Sequence, residues 1–115
     1  MITPPQSRFL DRLLRAVPQL NELFAEHRTE YSDPIPMLFM AALSRWAANA
    51  FLKEDPDLQP LLDTLEQEFA AGDEEIRDLI AVGFVESLPN SAQPGGEIRL
   101  LLGPLLFGEY QRLNW

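Results

Sequence analysis

One stretch constrains this chain more than any other, the run from Pro34 to Lys53, PIPMLFMAALSRWAANAFLK. Met37, Leu38, Phe39, Met40, Leu43, Trp46, Phe51 and Leu52 put apolar side chains on nearly every side of a 3.6-residue helix. Its only clearly polar stripe is Arg45, Asn49 and Lys53, four residues apart. A helix of this kind loses too much by facing water and belongs in the middle of a bundle. The same three polar residues keep the run from approaching the ~18 apolar residues of a membrane span. Asp33-Pro34 just before it has the form of an N-cap followed by a first-turn proline.

The rest of the chain reads as helices that cover this central one. Thr3-Pro4-Pro5-Gln6 is a helix start, with Thr3 as N-cap, Pro4 in the first turn and Gln6 placed to close a capping box. Phe9, Leu10, Leu13, Leu14 and Val17 form one stripe; after Pro18, Leu20, Leu23, Phe24 and Tyr31 form another, in two short helices or one kinked one. Leu58, Leu61, Leu62, Leu65 and Phe69 form a third stripe ending at Gly72, which suits a left-handed C-cap. Asp73 caps the next helix, whose buried face is Ile76, Leu79, Ile80, Gly83, Phe84 and Leu88. Glycine at Gly83 inside such a stripe marks close approach of a neighbouring helix. A turn-rich PNSAQPGG loop leads to a last helical stretch from Glu97 to about Leu113, interrupted at Gly103-Pro104 and followed by Trp115. Trp46 and Trp115 are expected to pack, in the core and at the C-terminus.

No segment alternates in the manner of a strand, and no period of 20–50 residues repeats. The expected fold is therefore all-α, one compact domain over residues 1–115 with five to seven helices around the central apolar one. A chain of 115 residues can bury enough surface to fold without staples, and it has no cysteine to supply them. Met1-Ile2-Thr3-Pro4-Pro5-Gln6 lacks the basic and apolar regions of a secretory signal, so a cytoplasmic location is expected.

The formal charge is -9, from 18 acidic and 9 basic side chains. A domain of that sign repels phosphate backbones, which argues against nucleic-acid binding. The charge is also uneven: Glu54 to Asp78 holds ten acids and one base, Arg77, and so carries the whole formal excess.

Catalytic and metal chemistry find little support. His27 is the only histidine, which leaves no hydrolytic triad or multi-histidine centre; near a helix end it reads as a surface residue complementing the dipole. Asp55, Asp57, Asp63 and Glu66 match four positions of a calcium loop. Pro60, however, occupies the position where such a loop turns on glycine, and the leucines carry a helix through it. No phosphate-binding glycine motif or H-E-x-x-H is present, so neither a cofactor nor an enzymatic activity is expected.

What remains is recognition of a protein. Asp63 and Glu66 on one helix, and Glu74, Glu75 and Asp78 on the next, are expected to point away from the leucine stripes, with Val82 beside the second group. An apolar spot inside an acidic face has the anatomy of an interface, its centre contributing affinity and its rim contributing encounter rate.

Two short motifs add a family. IRDLIAVGFVESLP, from Ile76 to Pro89, followed after a loop by LLGPL at Leu101–Leu105, resembles small helical bacterial proteins encoded beside polymorphic or contact-dependent toxins. There a G-F-x-E-x-L helix precedes an L-G-P helix start. The resemblance covers about the last 40 residues and implies an immunity protein that binds and blocks one cognate toxin, with no catalytic residues prescribed. Acidity would suit a basic toxin domain as the partner. An acidic adaptor or regulatory domain without a toxin is the alternative.

Overall fold

Thr3 opens the first helix as its neighbours require. Its Oγ1 accepts the Gln6 N–H at 3.3 Å, while Gln6 Oε1 accepts the Thr3 N–H at 3.1 Å, closing the capping box. In the computed structural model, which describes residues 2–113, this helix is α1 (Pro4–Ala16). Pro18 separates it from α2 (Leu20–Glu30), so the N-terminal stripes form two helices rather than one kinked helix. The central helix is α3 (Pro36–Leu52), followed by α4 (Leu58–Ala71) and α5 (Glu74–Asp78). The last of these runs directly into a π-helical segment, Leu79–Val85. A 3₁₀ turn at Gly96–Leu101 and α6 (Pro104–Leu113) complete an all-α bundle with no strand among the described residues. Trp115, expected at the C-terminal packing, lies outside them.

α3 begins two residues later than Asp33-Pro34 implied. Ile35 is extended (φ -112°, ψ 94°) and donates its N–H to His27 Nε2 at 3.0 Å, and Pro36 takes the first helical turn. A tertiary acceptor on α2 thus determines where the helix starts.

One contiguous core joins Phe9, Leu13, Phe39, Met40, Leu43, Leu61, Leu65, Ile80 and Phe84, all fully buried. Its main seam lies between α3 and the π segment, in which every residue except Val82 is buried. The wider i→i+5 turn is seen in the Glu86 N–H donating to the Ala81 carbonyl at 2.9 Å. Gly83 makes the seam possible. A Cβ there would lie 2.7 Å from the Met40 Cβ and 3.0 Å from the Met37 sulfur, so the expected close approach is present and its neighbour is α3.

Two expectations fail on backbone conformation and burial. Gly72 is extended (φ -77°, ψ 160°), because Asp73 starts α5 at once; what requires glycine there is the Glu68 carbonyl, 2.6 Å from where a Cβ would stand. The left-handed cap belongs instead to Glu54 (φ 56°) at the end of α3, where the Asp55 N–H bonds the Ala50 carbonyl and the Glu54 N–H bonds that of Phe51. Secondly, α3 is not enclosed all round. Trp46 and Phe51 are only half-buried, and Met37, Leu38 and Leu52 are exposed.

Candidate functional site: an acidic recess and an apolar groove

Six of the ten acids between Glu54 and Asp78 have partners inside the protein. Glu66 is half-buried and caps α6 from a distance, its carboxylate accepting the Leu105 N–H at 2.8 Å and the Leu106 N–H at 3.0 Å. Gly103 leaves room for it, since a Cβ there would meet the Glu66 Oε1 at 2.6 Å. Glu68 holds Arg12 of α1 through two guanidinium nitrogens, at 2.6 and 2.9 Å. Asp73 accepts the Ile76 N–H at 3.1 Å as the N-cap of α5, and Asp55 accepts the Asp57 N–H at 2.9 Å. Glu75, half-buried, accepts the Thr3 hydroxyl at 2.7 Å, and Asp63 accepts the Gln59 amide at 2.9 Å.

Of the residues expected to make one acidic face, Glu66 and Glu75 therefore do not point freely outward. Each fastens one element to another: α4 to α6, and α5 to the start of α1. Asp63 is exposed on α4, but neither it nor Glu66 lines the surface formed by the others. Glu74, Asp78 and Val82, spaced four apart, do come together. They border a recess of about 590 Å³ between α5 with its π continuation and α6. Glu74 and Asp78 are exposed and make no side-chain hydrogen bond or ion pair, while Val82 is 48% exposed. Arg77 and Arg112 also line it; the first lies 5.7 Å above the Phe69 ring and the second pairs with Glu109 at 2.8 Å.

A second concave surface was not foreseen. Leu38, Ala41, Ala42, Arg45, Trp46 and Asn49 share one face of α3, beside Leu23, Glu26, His27 and Glu30 of α2 and Tyr31 just after it. Together they line an open groove of about 470 Å³. The stripe itself is visible in the sequence at i, i+3, i+4, i+7, i+8 and i+11. The open flank carries Arg45 and Asn49 of the polar stripe read in the sequence, and tertiary contacts decide how far α2 leaves it uncovered.

His27 holds the end of this groove together and is buried, not the surface cation its place in α2 suggested. Its ring lies against Tyr31, Phe39 and Phe24, with centroids 4.9, 5.7 and 6.3 Å away. Desolvation lowers its pKa below the usual histidine value, with Glu30 opposing the effect. Accepting the Ile35 N–H at Nε2 likewise requires that nitrogen to be unprotonated. Among the described residues no group of three or more potential ligands could hold a metal ion, and no helix is long and apolar enough to cross a membrane.

Residues 10–115 match the family model of a domain of unknown function, DUF7674, and the chain belongs to that family. No curated protein and no solved structure matches it.

Proposed function

We propose that this member of DUF7674 works by binding another protein through its acidic recess, as an immunity-type protein that neutralises a basic bacterial toxin domain. One observation carries the reading: Val82 stands exposed on an otherwise buried π segment, with Asp78 one turn away and Glu74 two, both unpaired. Leaving an apolar side chain in water within such a segment contributes nothing to folding; a partner that covers it gains the burial. The unpaired carboxylates would then accelerate encounter with a basic surface. π segments also occur often at functional sites.

In this reading the chain is not an enzyme, it needs no cofactor, and it meets neither nucleic acid nor membrane. It acts in the cytoplasm. Of the six residues singled out by sequence, Glu74, Asp78 and Val82 form the surface. Glu66 and Glu75 support it indirectly by fixing the elements on either side, and Asp63 lies outside it.

Purification of the tagged protein from its native host, alongside a Glu74→Lys/Asp78→Lys/Val82→Asp variant, tests the proposal. Mass spectrometry should identify one basic protein retained by the wild type and lost by the variant, and co-expression should relieve that protein's toxicity. A control with Asp11→Lys and Glu22→Lys, both exposed and away from the recess, should keep the partner. A partner that is retained equally by the recess variant rejects the recess. A recess-dependent partner without toxicity replaces the immunity reading with an adaptor.

A further inference from the structure

The groove between α2 and α3 is a second place where the chain is incomplete. The α3 sequence suits a helix surrounded by others, and on the side of the π segment it is surrounded. On the groove side the stripe from Leu38 to Asn49 meets only α2, leaving Leu38 45% exposed and Trp46 half-buried. Tryptophan, tyrosine and arginine, the residue types that most often dominate binding energy, occur here together as Trp46, Tyr31 and Arg45. The small side chains of Ala41 and Ala42 line the same groove.

Charge specifies what fits. Glu26 and Glu30, one turn apart, stand on the α2 side, and Arg45 stands on the α3 side. Among the described residues none of the three makes an ion pair or a side-chain hydrogen bond, although six of the ten acids of the Glu54–Asp78 segment have such partners. Leu38 to Asn49 spans about 16 Å along α3, three helical turns.

We propose that this groove docks one amphipathic helix of a protein partner, about three turns long. Its apolar stripe lies over Ala41 and Ala42 between Leu38 and Trp46, with a basic flank along Glu26 and Glu30 and an acidic side chain at Arg45. This is helix-in-groove recognition, with anchors at i, i+3/i+4 and i+7. It is independent of the recess and does not rest on the toxin reading.

Two synthetic helical peptides of about 14 residues with the same leucine stripe serve as probes. One carries lysines on one flank and glutamates on the other, and the second carries glutamates on both. Because a helix can lie in either direction, the bipolar peptide can always present its lysines to α2. Titrated into the ¹⁵N-labelled full chain, the bipolar peptide should shift amides of α2 and α3 between Leu23 and Asn49, and the all-glutamate peptide should not. Glu26→Lys/Glu30→Lys should weaken bipolar binding about tenfold or more and admit the second peptide. Leu38→Asp should abolish binding of the bipolar peptide while circular dichroism remains helical. Glu74→Lys/Asp78→Lys should leave groove binding unchanged, which separates this proposal from the recess. Shifts centred on the recess, insensitivity to the groove variants, or no shift at about 1 mM peptide would overturn it. A dimer in sedimentation that Leu38→Asp dissolves would overturn it in favour of a second copy of the chain.

Discussion

The two flanks of α3 differ in composition and end differently: one is apolar around Met40 and Leu43, and the other interrupts its apolar residues with Arg45 and Asn49. On one, the π segment brings Gly83 against Met40 and buries Ile80, Phe84 and Val85 completely. On the other, α2 buries only Leu20 and His27 of its own length and leaves a groove. The difference teaches that an apolar stripe is buried only as far as the facing element can approach. A glycine opposite Met40 permits close contact on one flank, whereas the other carries Arg45 and Asn49 and shares its groove with Glu26 and Glu30.

The largest expected effect tests that asymmetry directly. Phe84→Ala, at the closed flank, should cost about 3–5 kcal/mol in denaturant unfolding, while Trp46→Ala at the open flank should cost less than half as much. Equal losses would mean that the groove side is packed in solution. Gly83→Ala comes next, since the added methyl must displace Met40 across the seam; a loss of about 1–3 kcal/mol is expected from the midpoint shift. A neutral result would show that the seam can open at little cost.

The open flank should also be the pH-sensitive one. His27 has a lowered pKa in the folded chain, so between that value and its unfolded value of about 6.5 the unfolded state binds more protons. The contribution of His27 is therefore fully present above about pH 6.5 and is lost as the pH falls toward the folded value. The protection factor of the Ile35 amide, taken relative to its intrinsic exchange rate at each pH, should fall from neutral to mildly acidic pH before that of the Phe84 region does. His27→Gln, whose side-chain oxygen can accept the same N–H, should flatten that dependence. Simultaneous loss of protection in both regions would mean that the flanks unfold as one. The smallest effect is at the shared end of α3: Glu54→Gly relieves a left-handed glutamate and should stabilise by at most about 1 kcal/mol, measured as a small rise in Tm. A fall instead would place the cost in the unfolded chain's added freedom.

Much of the local structure was legible. The Thr3 capping box, the Asp73 cap and the close approach at Gly83 were read from residues within a few positions of one another, because their partners are local or their geometry permits one residue type. The failures share the opposite property. His27 departs from its sequence expectation because its acceptor role depends on Ile35 across the α2–α3 turn, and Gly72 because Asp73 leaves no room for a left-handed cap. The acidic segment was legible as charge but not as wiring: Glu66 reaches the start of α6 and Glu75 reaches Thr3, across 39 and 72 positions. The Leu-Gly-Pro motif likewise has an internal explanation, since Gly103 admits the Glu66 carboxylate that caps α6.

The sequence by itself determined that the chain is helical, where most helices begin and end, which residues form the core outside α3, and that its negative charge is concentrated in one segment. Periodicity and capping act over one or two turns, and net charge needs no geometry at all. Only the tertiary structure decided which carboxylates remain free, that Glu74, Asp78 and Val82 share a recess while Asp63 and Glu66 do not, and how much of α3's flank stays uncovered by α2. Those outcomes depend on how closely two helices distant in sequence can approach, and that is set by side-chain volumes on both partners at once.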